Sequence, residues 1–267
     1  GDFSKPYSLS YDEIRSLPAE TLAVTLGCAG NGRTGVDPRS FSMPWKYGAV
    51  GTSEWTGTKL RPLLKEACVK SDVVEISFTG ADRGYDSGHE HNFARSLTLA
   101  QIEELEVLLV YQMNGIPLLP QHGAPLRIIV PGWYGMASVK WLTDITALKE
   151  PFDGYQQIGT YRFRQSREEV GKPITEMRVK SLMKPPGVPD WTSRKRLVSP
   201  GLIPLTGRAW SGGGKKIIRV EVLNNNKFTS QLSAWCNPKG KVIANFVIIN
   251  TKSNYFLIFK KDLKDYV

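Results

Sequence analysis

Thr21-Leu-Ala-Val-Thr-Leu-Gly-Cys28-Ala-Gly-Asn-Gly-Arg33-Thr-Gly35 is the stretch on which the reading of this chain turns. Leu22, Val24 and Leu26 alternate with Thr21, Ala23 and Thr25, the period of a strand with one buried face. The strand runs straight into a glycine-rich loop, and Cys28 stands at the junction. A lone thiol there can be a nucleophile, a metal ligand or an inert packing atom. The glycines let a bulky ligand approach the backbone, and Arg33 brings a cation five residues on.

Outward from that loop, helices and strands mix without a regular alternation. Tyr11–Leu17 and Leu99–Leu105 read as short helices. Thr58–Val69 carries Leu60, Leu63, Leu64 and Ala67 at helical spacing. Val73–Phe78 reads as a strand and Val107–Gln112 as a buried one. Leu126–Val130 and Val139–Ile145 are two further strands, joined by the turn Pro131–Gly135. No element repeats, and the order favours an α+β fold over a doubly wound sheet. The texture changes over residues 151–200, where Pro173, Pro185, Pro186, Pro189 and Pro200 punctuate polar sequence. The expected organisation is therefore a first domain over 1–150, a linker and the start of a second domain over 151–200, and a β module over 201–232. In that module Leu202–Leu205 and Ile218–Val222 read as strands and Asn224–Lys227 as a turn. Residues 233–267 form a divergent tail, with strand-like runs at Val242–Ile249 and Tyr255–Phe259.

Composition excludes several classes. Hydrophobic residues make up 41% of the 267 and charged residues 22%, a globular balance. The three cysteines, 28, 68 and 236, form no CxxC pair, which argues against a zinc knuckle or a disulfide framework. The longest apolar runs, Val107–Val110 and Phe246–Ile249, fall far short of the ~20 residues of a membrane-spanning helix, so no span is expected. The net charge is +10, but six Lys against two Asp in the last 31 residues place +4 of it in the tail. The rest is spread without a stripe or interleaved aromatics; Arg194-Lys195-Arg196 reads as solvated surface, and no nucleic-acid partner is expected. The chain begins at Gly1 with no charged-then-apolar leader, and the expectation is a processed form or a fragment.

A second cluster joins the cysteine loop. It comprises Tyr111-Gln-Met-Asn-Gly115, His122-Gly-Ala-Pro-Leu-Arg127 and Ser138-Val139-Lys140-Trp141. His122, Arg127 and Lys140 supply three potential cations at strand ends within 20 residues, a pattern that suits a phosphate group or, singly, a solvated surface. Gly30-Asn-Gly32 is not GxGxxG, and neither a P-loop nor HExxH occurs, which removes the dinucleotide, nucleotide-phosphate and zincin readings.

With these residues in view, the chain resembles the molybdopterin-dependent sulfite oxidase family, especially the subgroup whose cysteine loop reads Cys-Ala-Gly-Asn-Gly-Arg. The stretches that carry the likeness are Thr25–Arg33, Trp45–Leu60 (WKYGAVGTSEWTGTKL), Val107–Gly115, His122–Trp141 and Gly207–Val222 (GRAWSGGGKKIIRVEV). The resemblance implies an α+β molybdopterin domain followed by a partial immunoglobulin-like sandwich used for dimerisation. It implies molybdenum and molybdopterin as cofactors, with Cys28 as the thiolate on the metal, a soft ligand for a redox ion. It places Asp82, His122, Arg127, Ser138, Val139 and Lys140 against the pterin and its phosphate. It places Arg33, Trp45 and Tyr111 in the pocket where an oxyanion docks.

The activity implied is oxidation of sulfite to sulfate, with electrons passing to an external acceptor such as cytochrome c or oxygen. A homodimer is the implied assembly; members of the family occur in the mitochondrial intermembrane space and the bacterial periplasm, and the residues name neither for this chain. Two other readings stand beside it: a related molybdoenzyme acting on sulfane sulfur or a sulfoxide, and an incomplete paralogue without catalysis. The family's upstream Arg-Asn-His-type motif and its later Trp-Asn-x-Arg motif do not occur here, and the sequence departs from the family pattern after Leu232, as a chain truncated at both ends would.

Overall fold

The structure is a computed structural model; it describes residues 1–37, 42–86, 88–164, 166, 168–184, 186–189, 192, 196–199 and 202–221, with backbone ladders at 223–225, 229–231, 235–236, 242–244, 247–251 and 254–258. Two compact units divide the chain, Gly1–Met177 and Arg178–Val267.

The first unit contains strands β1 (Ala19–Gly27), β2 (Val50–Lys59), β3 (Glu75–Asp86), β4 (His89–Thr98), β5 (Leu108–Met113), β6 (Ile116–Pro117), β7 (Arg127–Ile129) and β8 (Leu142–Leu148). One sheet runs β1-β2-β5-β6 with β7 also paired to β5, and the other runs β4-β3-β8. Every ladder between these strands is antiparallel, as an α+β fold requires. Helices α1 (Tyr11–Ser16) and α3 (Leu99–Glu104) each begin with a capping box, Ser10 with Glu13 and Thr98 with Gln101, which pairs backbone N–H groups that the helix itself leaves bare. Helix α2 (Leu60–Glu66) starts directly at the end of β2, so the helix expected from Thr58 is a strand through Lys59.

β5 explains the apolar run that marks it in the sequence. Leu108 and Val110 pack with Val24, Trp55 and Ile129 on one face, while Leu109 and Tyr111 pack with Phe78, Ile128 and Val130 on the other. A strand buried on both faces has no polar alternation to show. β1 lies farther out, paired with β2 from Ala19 opposite Thr58 to Gly27 opposite Val50. Thr21 meets Thr56 and Thr25 meets Thr52 through their hydroxyls, at 2.8 and 2.7 Å, on the exposed face of that pair.

The first unit closes at Met177 rather than near residue 150. Residues 151–177 look like linker in composition, yet they satisfy buried polar groups of β3 and β4. The Gln157 side chain accepts from the Ser96 amide and donates to the Ser96 hydroxyl, which in turn donates to Glu75 at 2.5 Å. The Phe152 amide donates to the same Glu75 carboxylate, and Met177 donates to the Gly132 carbonyl. A π-helical turn, Gln156–Thr160, and the short pair β9 (Arg162–Phe163) and β10 (Lys172–Pro173) complete the segment.

In the second unit, β11 (Lys180–Lys184) pairs with β14 (Thr206–Trp210), and β12 (Val188–Pro189) with β13 (Arg196–Leu197). The described parts of the strands expected at Leu202–Leu205 and Ile218–Val222 are irregular; the regular strand falls between them, at Thr206–Trp210. Asn224 stands in a strand, Leu223–Asn225, rather than in the turn expected over Asn224–Lys227. In the tail, Val247–Thr251 and Asn254–Ile258 pair as a hairpin. Gly201, Val222, Arg194, Lys195 and Phe259 lie outside the described residues. Among the described residues this unit forms two-stranded ladders, and the immunoglobulin-like sandwich stays an inference from the resemblance.

β2 comes closest to β5 at Gly57, beside a bulge between Thr56 and Gly57, and a Cβ there would overlap the Leu109 carbonyl. Gly57→Ala is therefore expected to cost about 2–3 kcal/mol in urea unfolding. Gly51→Ala on the same strand meets nothing within 4 Å and should stay within about 0.5 kcal/mol. Equal midpoints for the two variants would remove the close approach.

Candidate functional site

β1 ends where its alternation delivers Cys28 to the loop. The Cys28 amide donates to the Ala49 carbonyl at 2.9 Å, and the Gly30 amide donates to the sulfur at 3.4 Å. Gly32 takes a left-handed φ of +84°, which lets the loop curl back so that its amide reaches the Lys46 carbonyl. Cys28 is half-buried and carries no disulfide.

The sulfur opens onto a pocket of about 340 Å³. Six of the ten residues expected at the site line it: Cys28, Asp82, Arg127, Ser138, Val139 and Lys140. Arg127 comes from β7 and is 6% exposed. Its Nη1 donates to the His122 carbonyl and its Nη2 to the Ser138 carbonyl, both at 2.8 Å, and its guanidinium lies 5.0 Å from the Trp55 ring centre. Its Nε is buried without a partner. Burial lowers the Arg127 pKa to about 10, so the cation persists at neutral pH. Lys140 donates to the Gln121 carbonyl at 3.2 Å with its ammonium 3.9 Å from the Trp141 ring centre. Its pKa is lowered by burial first and by the neighbouring Arg127 charge second, with Asp82 opposing. Gly123 at φ +100° allows the His122 loop to lie on Lys140, since a Cβ there would come within 2.9 Å of the lysine Cβ.

The Ser138 and Val139 side chains are engaged within the protein. The Ser138 hydroxyl accepts from the Val130 amide at 3.1 Å, and the Val139 side chain belongs to the core. His122 ends a short 3-10 turn, Pro120–His122, and serves through its carbonyl on Arg127.

Arg33, Trp45 and Tyr111 do not line the pocket wall. Arg33 donates to the Ser42 hydroxyl and the Met43 carbonyl at 2.7 and 2.9 Å, bracing its own loop. Trp45 is 45% exposed and accepts from the Thr34 amide through its carbonyl. Tyr111 is 5% exposed, with its ring in the core, because it shares the inward face of β5 with Leu109.

The tyrosine on the pocket is Tyr161, together with Phe93 and Met136. The Tyr161 phenol is raised above its ordinary pKa, first by burial and next by Cys28; Arg95 and Arg33 pull it down and Asp86 adds slightly to the rise. Arg33 thus acts on the site through its charge. Tyr161 follows the π-turn inside the segment that composition marks as linker. The one sequence signal there is the dense aromatic and basic run Tyr155-Gln-Gln-Ile-Gly-Thr-Tyr161-Arg-Phe-Arg164.

A soft sulfur beside two cations and a carboxylate fits a group that carries both a redox metal and an anionic tail. Burial and the Arg127 charge both lower the Lys140 pKa, an arrangement that a phosphate would relieve. Among the described residues no three His, Cys, Asp or Glu side chains gather as a metal-binding group. Of the lining side chains Cys28 offers the thiolate, a soft donor that suits a redox metal.

Residues 1–156 match the oxidoreductase molybdopterin binding domain. The chain is 32% identical over 235 residues to the mitochondrial sulfite oxidase of Rattus norvegicus, covering 84% of this chain and 42% of that protein. It is 30% identical over 262 residues to the NADH nitrate reductase of Ulva prolifera, covering 89% of this chain and 29% of that protein. The chain thus spans less than half the length of these two relatives. The sulfane dehydrogenase SoxCD of Paracoccus pantotrophus shares the fold, with a TM-score of 0.70 at 22% identity over 96% of this chain and 67% of that one. Taken with the cysteine loop and its cationic pocket, these likenesses make the chain a member of the sulfite oxidase family of molybdopterin-binding oxidoreductases.

Proposed function

We propose that this chain is the molybdenum-cofactor domain of an enzyme that oxidises sulfite to sulfate. The observation that carries the reading is the convergence of Cys28, Arg127, Lys140, Asp82 and Tyr161 on one pocket. Cys28 would be the thiolate on molybdenum, Arg127 and Lys140 would hold the phosphate of the pterin, and Asp82 would hydrogen-bond the pterin. When bound, this cofactor supplies oxygen-atom transfer coupled to two-electron redox chemistry. In the overall balance sulfite and water become sulfate with release of two protons and two electrons, the latter to an external acceptor such as cytochrome c or oxygen.

The protein's own part is electrostatic and orienting. Tyr161 stays protonated throughout the neutral range because its pKa is raised, so its hydroxyl donates to an oxyanion. Arg33 and Arg95 add positive field at the same phenol. Phe93 and Met136 keep the wall apolar, which strengthens those interactions. Trp45 stays exposed beside the same loop, where its carbonyl accepts from the Thr34 amide. A second reading takes the same pocket to another sulfur substrate such as sulfane sulfur; its support is the fold shared with a sulfane dehydrogenase.

Purified protein should contain at most one molybdenum per chain, lost or spectrally altered in Cys28→Ser. Cys68 is a control, since its thiol donates to the Glu66 carbonyl at the end of α2, and Cys68→Ser should leave metal and turnover unchanged. If both serine variants behave alike, Cys28 is not the ligand. Arg127→Ala and Lys140→Ala are expected to lower molybdenum content with little change in the apparent affinity for sulfite, because a lost phosphate partner costs on the order of 2–5 kcal/mol. A variant with full metal and a raised KM would belong to the substrate pocket instead. Tyr161→Phe should cut sulfite turnover by about 10–100-fold, whereas Tyr111→Phe stays close to wild type. Steady-state assays with sulfite, thiosulfate and a sulfoxide in parallel separate the two readings.

A further inference from the structure

β4 carries an arginine in its middle, opposite Phe78 of β3, where the sheet is dry. Arg95 is 1% exposed. Among the described residues its hydrogen bonds go to carbonyl oxygens rather than to a carboxylate. Its Nη1 donates to the Gln156 carbonyl at 2.6 Å and its Nη2 to the Ile174 carbonyl at 3.3 Å. Its guanidinium carbon lies 5.7 Å from the centre of the Tyr161 ring. Burial lowers its pKa to about 10, so the group is still a cation at neutral pH.

A buried cation among neutral acceptors is an expensive way to fill a core, and an aliphatic side chain of similar volume fills it more cheaply. What arginine adds is a rigid fork with several donors, able to reach two separate chain segments at once. Both segments bear on Tyr161. Gln156 opens the π-turn that delivers Tyr161, and the Ile174 amide donates to the Tyr161 carbonyl at 2.9 Å. The Gln156 side chain is held in turn, 2.8 Å from His91 Nε2, with the His91 ring 4.9 Å from Tyr155. π-helical turns are rare and are frequent at functional sites.

We propose that Arg95 is a positioning residue for Tyr161: it clamps the segments before and after the tyrosine and backs its ring, so that the hydroxyl is seated on the pocket. The inference rests on the reading of Tyr161 as the pocket hydroxyl, but the clamp is testable apart from it.

The test uses the cofactor-loaded protein in four forms: wild type, Arg95→Lys, Tyr161→Phe and the double variant. Arg95→Met is a harsher companion, and Arg95→Lys keeps charge and stem should the methionine form fail to fold. Two readouts are taken. With sulfite, Arg95→Lys should lose about tenfold in kcat with KM nearly unchanged, and the double variant should be no slower than Tyr161→Phe alone, because the two residues act as one unit. In a parallel set, a fluorotyrosine replaces Tyr161 and its fluorine resonance reports ring environment without any turnover. That resonance should move toward the free amino acid in Arg95→Lys. An unmoved resonance, or losses that multiply in the double variant, overturns the proposal. If Tyr161→Phe keeps full turnover, the catalytic reading of Tyr161 falls, and the fluorine shift alone then decides whether Arg95 positions the ring.

Discussion

Arg127 puts a full positive charge where almost no water reaches it, and the first unit is arranged around that fact. Its guanidinium ties the Pro120–His122 turn to the Ser138 carbonyl and lies against Trp55 of β2. One side chain therefore joins the central sheet, the turn before β7 and the loop before β8. Arg127 and the loop before β8 also line the pocket. The strand that carries it alternates Ile128 into one core cluster and Ile129 into the other, so the charge is anchored by packing on both faces. Substitution at Arg127 should therefore be felt in the shape of the pocket as well as in its charge.

Electrostatics and packing meet differently around Tyr161. The phenol lies between Cys28, which favours its neutral form, and Arg95 and Arg33, which favour its anion; burial tips the balance to the neutral donor. The two arginines reach it by separate routes, one from a loop braced on its own carbonyls and one from inside a sheet. The pocket thus combines cationic side chains with a phenol that burial keeps protonated.

Much of this was legible in the sequence, for definite reasons. The Cys28 loop announces itself through period-two alternation followed by glycines, and the unbroken run Val107–Tyr111 announces a strand buried on both faces. The same alternation argues against a pocket role for Tyr111, since Leu109 two residues earlier is plainly core. β4 escaped notice because His89, Glu90, His91 and Arg95 disrupt any hydrophobic pattern, and the buried member of that set is held by carbonyls far away in the chain. Tyr161 was hidden for a related reason. The Gln157 side chain and the Phe152 amide serve polar groups of β3 and β4, and polar sequence reads as linker when its partners lie far off in the chain.

The register of β1 against β2 sets a boundary on how this site can change over evolutionary time. Nine consecutive pairs, from Ala19 opposite Thr58 to Gly27 opposite Val50, fix which side of the strand each residue faces, and Val24 buried beside Trp55 locks that choice. The sulfur at Cys28 inherits its position from that zipper. Lengthening the stretch between Val36 and Tyr47 leaves the zipper untouched. Losing one residue from Ala19–Gly27 moves every later side chain to the opposite face and takes the thiol with it. The spacing from Val24 to Cys28 is accordingly expected to stay constant across this lineage.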